Sequence, residues 1–537
     1  MQVGYSFLDD LGPLTDEGDV KAYGGTLGAH LDLDRWKAEI DGTYGRQDEQ
    51  ARTINRVNTA RLAQALADPD PATSFDIFGD GSFTNPATIA QIRGSTETDD
   101  SDTLWTADAK ADGRLFALPA GDVRLAVGAE YRREHFTSSS IADTATLTPV
   151  YSKGIWPAAR TVVAVFGEVL VPVISEADGL PGIRSLTLSA AGRYEHYNEF
   201  GSTTNPKLGA SWSPVQGLSV RSTFGTSFRA PSFIDLLQTP TSTAYGVFPL
   251  ADPTSPTGTR DALLLTGNRP DIGPERATTW TLGFDFKPRV LPDLKISATY
   301  FNIRYRDRIA GPGSAILNIL QNRATYAGII TDSPSLTTVE ALFASPYFIN
   351  LFGIPATSVT TIIDARTQNL SIVNERGLDF SIDYSHALLG GFLALDAAGT
   401  WLFKIDQRFT RSAPSVSILN TVGNPVDLRL RAGGSWTIDR LSLAAHVNFT
   451  NGYRNTIPVP AEHVNAWTTV DAQVGYSLAE PHGALHGLRL ALSATNLLDR
   501  NPPYVNFAYP GITAVGYDPQ NASAVGRVVS FQVTKAW

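Results

Sequence analysis

The sequence predicts an all-β fold: a transmembrane antiparallel β-barrel with long loops at one end. Three observations support this prediction. Apolar and polar residues alternate with a period of two along many segments of about 8 to 15 residues. The links between these segments are alternately short and long. No apolar run reaches the roughly 18 to 20 residues of a membrane-spanning helix, so strands are the remaining way across a bilayer.

Residues 218–229 show the alternation clearly. Leu218, Val220 and Phe224 fall on one face of the predicted strand, and Arg221 falls on the other. A soluble barrel points its apolar face inward, but a barrel of about 17 strands encloses too wide a space for side chains to fill. The apolar face is therefore expected to meet lipid, and the polar face to line a wet lumen.

The pattern predicts about 17 strands. The stretch 3–8 is an alternative eighteenth, because bacterial single-chain barrels use even strand numbers. The predicted strands lie near residues 22–33, 34–47, 102–116, 121–137, 159–173, 185–198, 205–213, 217–229, 275–287, 293–306, 370–385, 391–409, 426–437, 440–452, 466–477, 487–497 and 524–537.

The links support the same architecture, since outer-membrane barrels have short periplasmic turns and long extracellular loops. Helical patterns at 54–67 and within 307–367 indicate that the long loops are folded and contain short helices. The short links are 119–122, 214–217, 289–293 and 388–391, and the long ones are 48–101, 138–158, 230–273 and 307–367.

The composition excludes several classes of function. The formal net charge is −10 and no basic run exists, which argues against a nucleic-acid partner because phosphate binding relies on clustered Lys and Arg. The absence of cysteine removes disulfide frameworks and cysteine-based zinc sites. No cofactor is expected.

An enzyme is not expected either. Ser442, His446 and Asn448 share one face of one predicted strand, but positions two and four residues apart are separated by about 7 and 13 Å, beyond hydrogen-bond reach. No metal site is expected. The acidic run 95–102 is best explained as a solvated strand tip, although Asp76 and Asp80 leave calcium as an alternative.

Five motifs resemble those of one family, the TonB-dependent receptors of the bacterial outer membrane. Phe228, Arg229, Ala230, Pro231 and Ser232 match the family's recurring FRAPS element, although Ser227 replaces the glycine that usually precedes it. The other similar stretches follow in the family's order and are GPERATTWTLGFDF at 273–286, ISATYFNIRYRDRI at 296–309, NERGLDFSIDY at 374–384 and LSATNLLDRNPPY at 492–504.

The last predicted strand ends on an aromatic residue, as outer-membrane barrels characteristically do. The resemblance implies that this end is the signal read by the barrel assembly machinery, with Phe531 and Trp537 on one face. Two details depart from the usual pattern, because the terminal residue is Trp rather than Phe and Lys535 lies where an apolar residue is common.

The resemblance implies a location in the bacterial outer membrane and uptake of a scarce nutrient of the siderophore, vitamin or oligosaccharide class. The family's signal peptide, TonB box and plug, and about four strands of its 22-stranded barrel, are not recognisable. Residues 1–537 are therefore expected to be an N-terminally truncated barrel domain, able to couple to the TonB complex only with a plug. A passive porin or an adhesin is the alternative.

The resemblance also implies that the side chains of the polar face lie against the plug or against the water around it. Solvated lining is the expected role of these side chains, rather than direct contact with substrate, and the substrate-binding residues are unknown. The candidate lumen-facing residues are Arg193, Glu195, Arg221, Asp285, Asp379, Asp383 and Arg429.

Overall fold

The computed structural model describes residues 5–78, 84–154, 159–178, 180–237, 243–350, 352–478, 486–506 and 516–536. Its strands, in chain order, are β1 (Thr15–Leu33), β2 (Trp36–Val57), β3 (Arg93–Leu118), β4 (Gly121–Asp143), β5 (Val150–Lys153), β6 (Arg160–Ile174), β7 (Ser185–Tyr197), β8 (Gly201–Val215), β9 (Leu218–Arg229), β10 (Tyr245–Ala251), β11 (Thr259–Leu265), β12 (Glu275–Phe286), β13 (Leu294–Ala310), β14 (Ile330–Asp332), β15 (Thr361–Asp364), β16 (Gln368–Leu388), β17 (Gly391–Arg408), β18 (Val416–Ser417), β19 (Leu428–Ile438), β20 (Leu441–Thr450), β21 (Tyr453–Asn455), β22 (Glu462–Val464), β23 (Trp467–Leu478), β24 (Leu488–Thr495) and β25 (Val528–Lys535).

The helices are short and lie outside the large sheet. They are α1 (Leu8–Leu11), α2 (Thr59–Ala67), α3 (Pro86–Ile92), α4 (Phe233–Leu236), α5 (Arg323–Tyr326) and α6 (Leu336–Phe343). Within the described ranges, no helix has the length and apolar character needed to span a membrane.

One sheet of 19 strands dominates the chain. Its long strands pair antiparallel with the next long strand of the sequence, from β1 with β2 to β24 with β25, and this confirms the predicted all-β antiparallel architecture. In the described part of the chain, β1 pairs only with β2 and β25 only with β24. The sheet is therefore open, and the strand number of a closed barrel stays a prediction.

The connections are sorted as predicted. Tight turns join the strands at one end, and at residues 389–390 both positions have positive φ, which matches the twist of the flanking strands. Gly217 also has positive φ, and a Cβ there would lie 2.1 Å from the carbonyl oxygen of Lys287, so only glycine fits. The long loops 58–92, 230–274 and 311–367 leave the opposite end, here called the loop end.

The strand register assigns each side chain to one of two faces. Val220 lies opposite Phe284, and Phe224 lies opposite Trp280, so these residues share an apolar face. Arg221, one residue from Val220, projects from the other, polar face.

Several predicted boundaries are wrong. The first strand begins at Thr15 rather than near residue 22, and β2 and β3 extend into the predicted link 48–101, so that only 58–92 lies between them. The helix expected at 54–67 begins only at Thr59, because residues 54–57 continue β2. The alternative strand at 3–8 does not form in its described part, since residues 5–7 are irregular and Leu8 begins α1. The acidic run 95–102 lies within β3.

The buried cores lie in the loops rather than inside the large sheet. Loops 230–274 and 311–367 together form a second sheet in which β10 pairs with β11, β11 runs parallel to β15, and β14 pairs with β15. Leu264 and Ile363 are buried on one side of this sheet, and Leu263 on the other. We call this unit the loop subdomain.

Candidate functional site

The loop subdomain is held by a buried carboxylate. Asp252 is fully buried and accepts hydrogen bonds from Arg260 at 2.5 Å and from Arg323 at 2.7 Å. Arg323 also contacts Asp332 at 2.8 Å. The guanidinium group of Arg323, followed by the Thr254 amide and hydroxyl and by Arg260, holds the pKa of Asp252 well below its usual range against the opposing effect of burial. The subdomain is thus fixed by charge as well as by its apolar core.

The FRAPS residues anchor the loop that follows β9. Arg229 donates to Glu275 at 2.5 Å. The carbonyl oxygen of Pro231 accepts a hydrogen bond of 2.7 Å from Arg160. Ser232 caps α4 by exchanging hydrogen bonds with Asp235. The motif therefore has a structural role where the strand turns into the loop.

Phe228 and Ala230 complete the motif. The ring of Phe228 contacts Tyr197 edge-on, with centroids 5.7 Å apart. Ala230 is the first residue after β9, and no contact among the described residues explains its place in the motif.

Glu275 is a second buried and heavily engaged carboxylate at the loop end, and it is not among the candidate site residues predicted from the sequence. It is 3% exposed and accepts hydrogen bonds from Arg229, from the hydroxyl of Tyr305 and from the amide of Ile309, the last at 2.6 Å. Its one signal in the sequence is its place in the motif 273–286, whereas its position opposite Arg229 is given by the β9–β12 register.

The seven candidate lumen residues all lie on the polar face by register, but they do not converge on one point. Arg193 contacts Glu130 at 2.5 Å and also Glu195. Arg221 pairs with Asp285 and donates to Thr299 at 2.7 Å.

The remaining three are separate from those clusters. Asp379 accepts a hydrogen bond of 2.7 Å from Thr400. Asp383 lies opposite Lys295 in the register. Arg429 donates to the Gln520 carbonyl and to Asn521, both at 2.7 Å, and so holds the last long loop against the wall.

A cavity of about 680 Å³ opens where the polar face meets the loops. Glu275 and Tyr305 line its wall, while Asn424 and Gln520 reach it from two loops. The same cavity contains Arg308 and Glu375, and neither has an ion-pair partner in the described ranges. It therefore offers one free cation and one free carboxylate to a ligand.

The serine, histidine and asparagine of β20 have separate partners. His446 contacts Asp396 at 3.0 Å, whereas Asn448 contacts Asp471 at 2.8 Å. Ser442 lies opposite Thr437. No shared catalytic arrangement of these three residues is present.

The remaining residues named in the sequence analysis are Phe531, Trp537, Asp76 and Asp80. Phe531 lies in the edge strand β25 opposite Leu492 and is 65% exposed. Trp537 and Asp80 fall outside the described residues. Asp76 accepts a hydrogen bond from the amide of Phe78 at 2.9 Å, and the described residues contain no group of three or more metal-ligating side chains.

Comparison with known proteins gives the family. The model of the β-barrel of TonB-dependent receptor-like proteins matches residues 3–497. Among solved structures, the chain is similar to the ferric yersiniabactin uptake receptor FyuA of Yersinia pestis, with a TM-score of 0.54 and 12% identity over 96% of this chain and 61% of that one. It is also similar to the ferric-catecholate import receptor Fiu of E. coli K12, with a TM-score of 0.53 and 12% identity over 96% and 64% of the two chains.

At such identities the structural likeness shows the fold alone, and the chain spans less than two thirds of the length of these solved structures. The family match covers most of the sequence, and its members are outer-membrane receptors and transporters rather than enzymes. The chain belongs to the TonB-dependent receptors, of which it has the β-barrel fold.

Proposed function

We propose that this chain is the barrel of an outer-membrane receptor that takes up a scarce nutrient with energy from the TonB complex. The cavity between the polar face and the loops supports this proposal most directly, because it combines charged side chains with a folded loop rim. Siderophores are the favoured substrate class, since solved relatives are named for ferric yersiniabactin and ferric catecholates. Vitamins and oligosaccharides remain the other classes.

Arg308 and Glu375 are the residues we assign to substrate contact. Both line the cavity without an ionic partner in the described part of the chain. A ligand with an acidic group for Arg308 and a basic or hydroxyl group for Glu375 would satisfy both side chains. Replacing either by Gln should lower nutrient uptake about tenfold, the loss expected for one charged hydrogen bond. Arg35→Gln, in a turn at the opposite end, is the matched control.

The test is growth of a deletion strain, complemented with each variant, on limiting iron supplied as defined ferric siderophores. Loss of growth on one siderophore, restored by the wild type, supports the proposal. Equal growth of the deletion strain on every scarce nutrient would contradict it. Unselective leakage of small sugars into liposomes would favour a passive porin, an alternative that no observation on this chain supports.

We further propose that the complete receptor has a plug against the polar face and further strands at the sheet edges. The unpaired outer sides of β1 and β25 in the described residues support this, because exposed edges otherwise invite aggregation. Reading the DNA upstream of Met1 tests the idea. An in-frame plug sequence is expected, and its absence from every adjacent frame would contradict the proposal.

The outer membrane is the proposed location, with lipid around the apolar face and assembly directed by the last strand through Phe531 and Trp537. Fractionation of bacteria should place the chain in the outer membrane. Replacing Phe531 by Ser should reduce its amount there, whereas Val525→Ser, in the preceding loop, should not. Recovery of the wild-type chain from the periplasm would contradict this location.

A further inference from the structure

Strand β13 presents a cation to the cavity at a point where its sequence pattern would place a carboxylate. Tyr305 lines the cavity, and successive side chains of a strand point to opposite faces. Arg304 and Arg306, its two neighbours in sequence, therefore lie on the outer face. Continued alternation would turn Asp307 toward the cavity and Arg308 away from it.

The pairing of β13 with β16 departs from this alternation. Residues 306–308 of β13 face residues 370–372 of β16, and the register is irregular within this interval. The two segments are equal in length, so neither strand has an inserted residue. Regular pairing would place Asp307 opposite Ser371, but Arg308 has that position instead. We call this local exchange the β13 irregularity.

The β13 irregularity reverses the charge of the cavity wall at this point. Ser371 lies on the inward face, because it is four residues from Glu375 along β16 and Glu375 lines the cavity. Residues directly opposite each other share a face, so Arg308 takes the inward place that alternation would give to Asp307. The described residues of the cavity wall accordingly include Arg308 but not Asp307.

The irregularity depends on the backbone of Asp307. Its φ is +56°, in the left-handed region that Asp and Asn enter more readily than other residues with a side chain, and from which β-branched residues are almost excluded. The carboxylate of Asp307 contacts Arg411 at 2.7 Å, but the side chain of Arg411 is 79% exposed, so this ion pair contributes little. The conformation of Asp307, rather than its charge, is what the exchange requires.

Hydrogen bonds from neighbouring strands hold this conformation. The side-chain nitrogen of Asn369 donates to the carbonyl oxygens of Asp307 at 2.8 Å and of Gly273 at 2.9 Å. The side-chain oxygen of Asn369 accepts from the amide of Gly273 at 2.7 Å. On the other side of Arg308, the amide of Ile309 donates to Glu275 at 2.6 Å. Irregularities of this kind occur beside functional sites, where they re-aim a side chain.

We infer that Asp307 and Asn369 are positioning residues that determine the specificity of the cavity. They turn Arg308 inward, so that the wall binds a ligand with an acidic group such as a carboxylate. Regular pairing would instead place Asp307 on the same face as Glu375, and two carboxylates would repel such a ligand. The inference rests on the proposed function of the cavity and adds the residues that set its charge.

The first experiment measures the exchange by disulfide cross-linking of the full chain, purified in dodecyl maltoside. The chain has no cysteine, so each introduced pair reports only its own geometry. Arg308→Cys/Ser371→Cys should cross-link, because opposite positions of paired strands bring Cβ atoms close to disulfide distance. Arg308→Cys/Leu370→Cys, the pair that regular pairing would join, should not. Thr299→Cys/Asp379→Cys lies in the regular part of the same two strands and is the control for folding.

Failure of the first pair to cross-link while the control pair does so would overturn the inference, as would cross-linking of residues 308 and 370. The substitution of Asp307 then tests the backbone in the first pair. Asp307→Asn should leave the cross-linked fraction unchanged, whereas Asp307→Val should lower it about tenfold. The control pair should form in both variants. Equal cross-linking with Asn and Val would show that the left-handed conformation is not required.

Uptake of defined ferric siderophores by the complemented deletion strain tests the role in specificity. Asp307→Val should lower uptake about tenfold, as Arg308→Gln does, and the two changes together should cost no more than either alone, because they remove the same contact. Asp307→Asn should retain uptake. Additive losses would refute the assignment of Asp307 as a positioning residue for Arg308. Cross-linking as expected in a chain that takes up no siderophore would contradict the proposed function but not the exchange.

Discussion

Arg160 donates a hydrogen bond of 2.7 Å to the carbonyl oxygen of Pro231. Arg160 is 6% exposed, lies at the start of β6 and also contacts Glu199 at 2.7 Å and Glu134 at 3.4 Å. Its guanidinium group lies 4.7 Å from the ring centre of Phe233. One side chain thus ties the wall of the sheet to the first turn of the loop after β9.

Replacing Arg160 by Met should therefore destabilise the fold strongly. The change leaves the buried Glu199 without its cation, whereas Glu134 keeps Arg132 at 2.8 Å, and the loss at Glu199 costs about 3 kcal/mol or more. Urea unfolding of the chain in lipid vesicles measures the difference. Arg124→Met is the control, because the Arg124–Asp112 pair is exposed at 3.7 Å and should contribute below about 1 kcal/mol. Equal losses in both variants would contradict the assignment.

The buried carboxylate of Asp252 gives a second prediction. In Asp252→Asn the guanidinium groups of Arg260 and Arg323 lose their shared anion, so the loop subdomain should open more readily at neutral pH. Native-state hydrogen exchange of the β11 amides measures this opening, with an expected loss of about 3 kcal/mol. Asp261→Asn, on β11 itself, removes a carboxylate without an ion pair in the described residues and should change little. Unchanged protection in Asp252→Asn would refute the role.

The same residue predicts how stability depends on pH. The folded-state pKa of Asp252 is lowered, below an unfolded value of about 3.9. The ionised carboxylate of Asp252 therefore stabilises the fold fully at pH values above the unfolded pKa. This stabilisation is lost as the pH falls toward the folded pKa. The stability difference between the wild type and Asp252→Asn should be constant from about pH 7 to 5 and should shrink toward pH 3. A difference that grows on acidification would show that another group is responsible.

The sequence predicted the large sheet well because its pattern is local. Alternation assigns Val220 and Arg221 to opposite faces, and no knowledge of distant residues is needed. The loop subdomain was not predictable in this way. Its strands β11 and β15 are short and run parallel, and the fully buried segment 262–265 shows no alternation.

The charged contacts at the loop end could likewise be recognised only once the fold was known. Arg229 and Glu275 are 46 residues apart in sequence, and Arg323 and Asp252 are 71 residues apart. Spacing along the chain gives no sign of such pairs. Arg229 could be recognised only as part of a motif, and its structural role became clear from its contact with Glu275.

Glu275 gives the last prediction, because it and Glu375 form a natural comparison. Both line the cavity at the loop end, but Glu275 accepts three hydrogen bonds, whereas Glu375 has no ionic partner in the described ranges. Glu275→Gln removes the charge opposite Arg229 and should cost about 2 kcal/mol of unfolding free energy in urea. Glu375→Gln should cost almost nothing and should impair only nutrient uptake. Similar destabilisation by both changes would show that position in the cavity, rather than hydrogen bonding, decides stability.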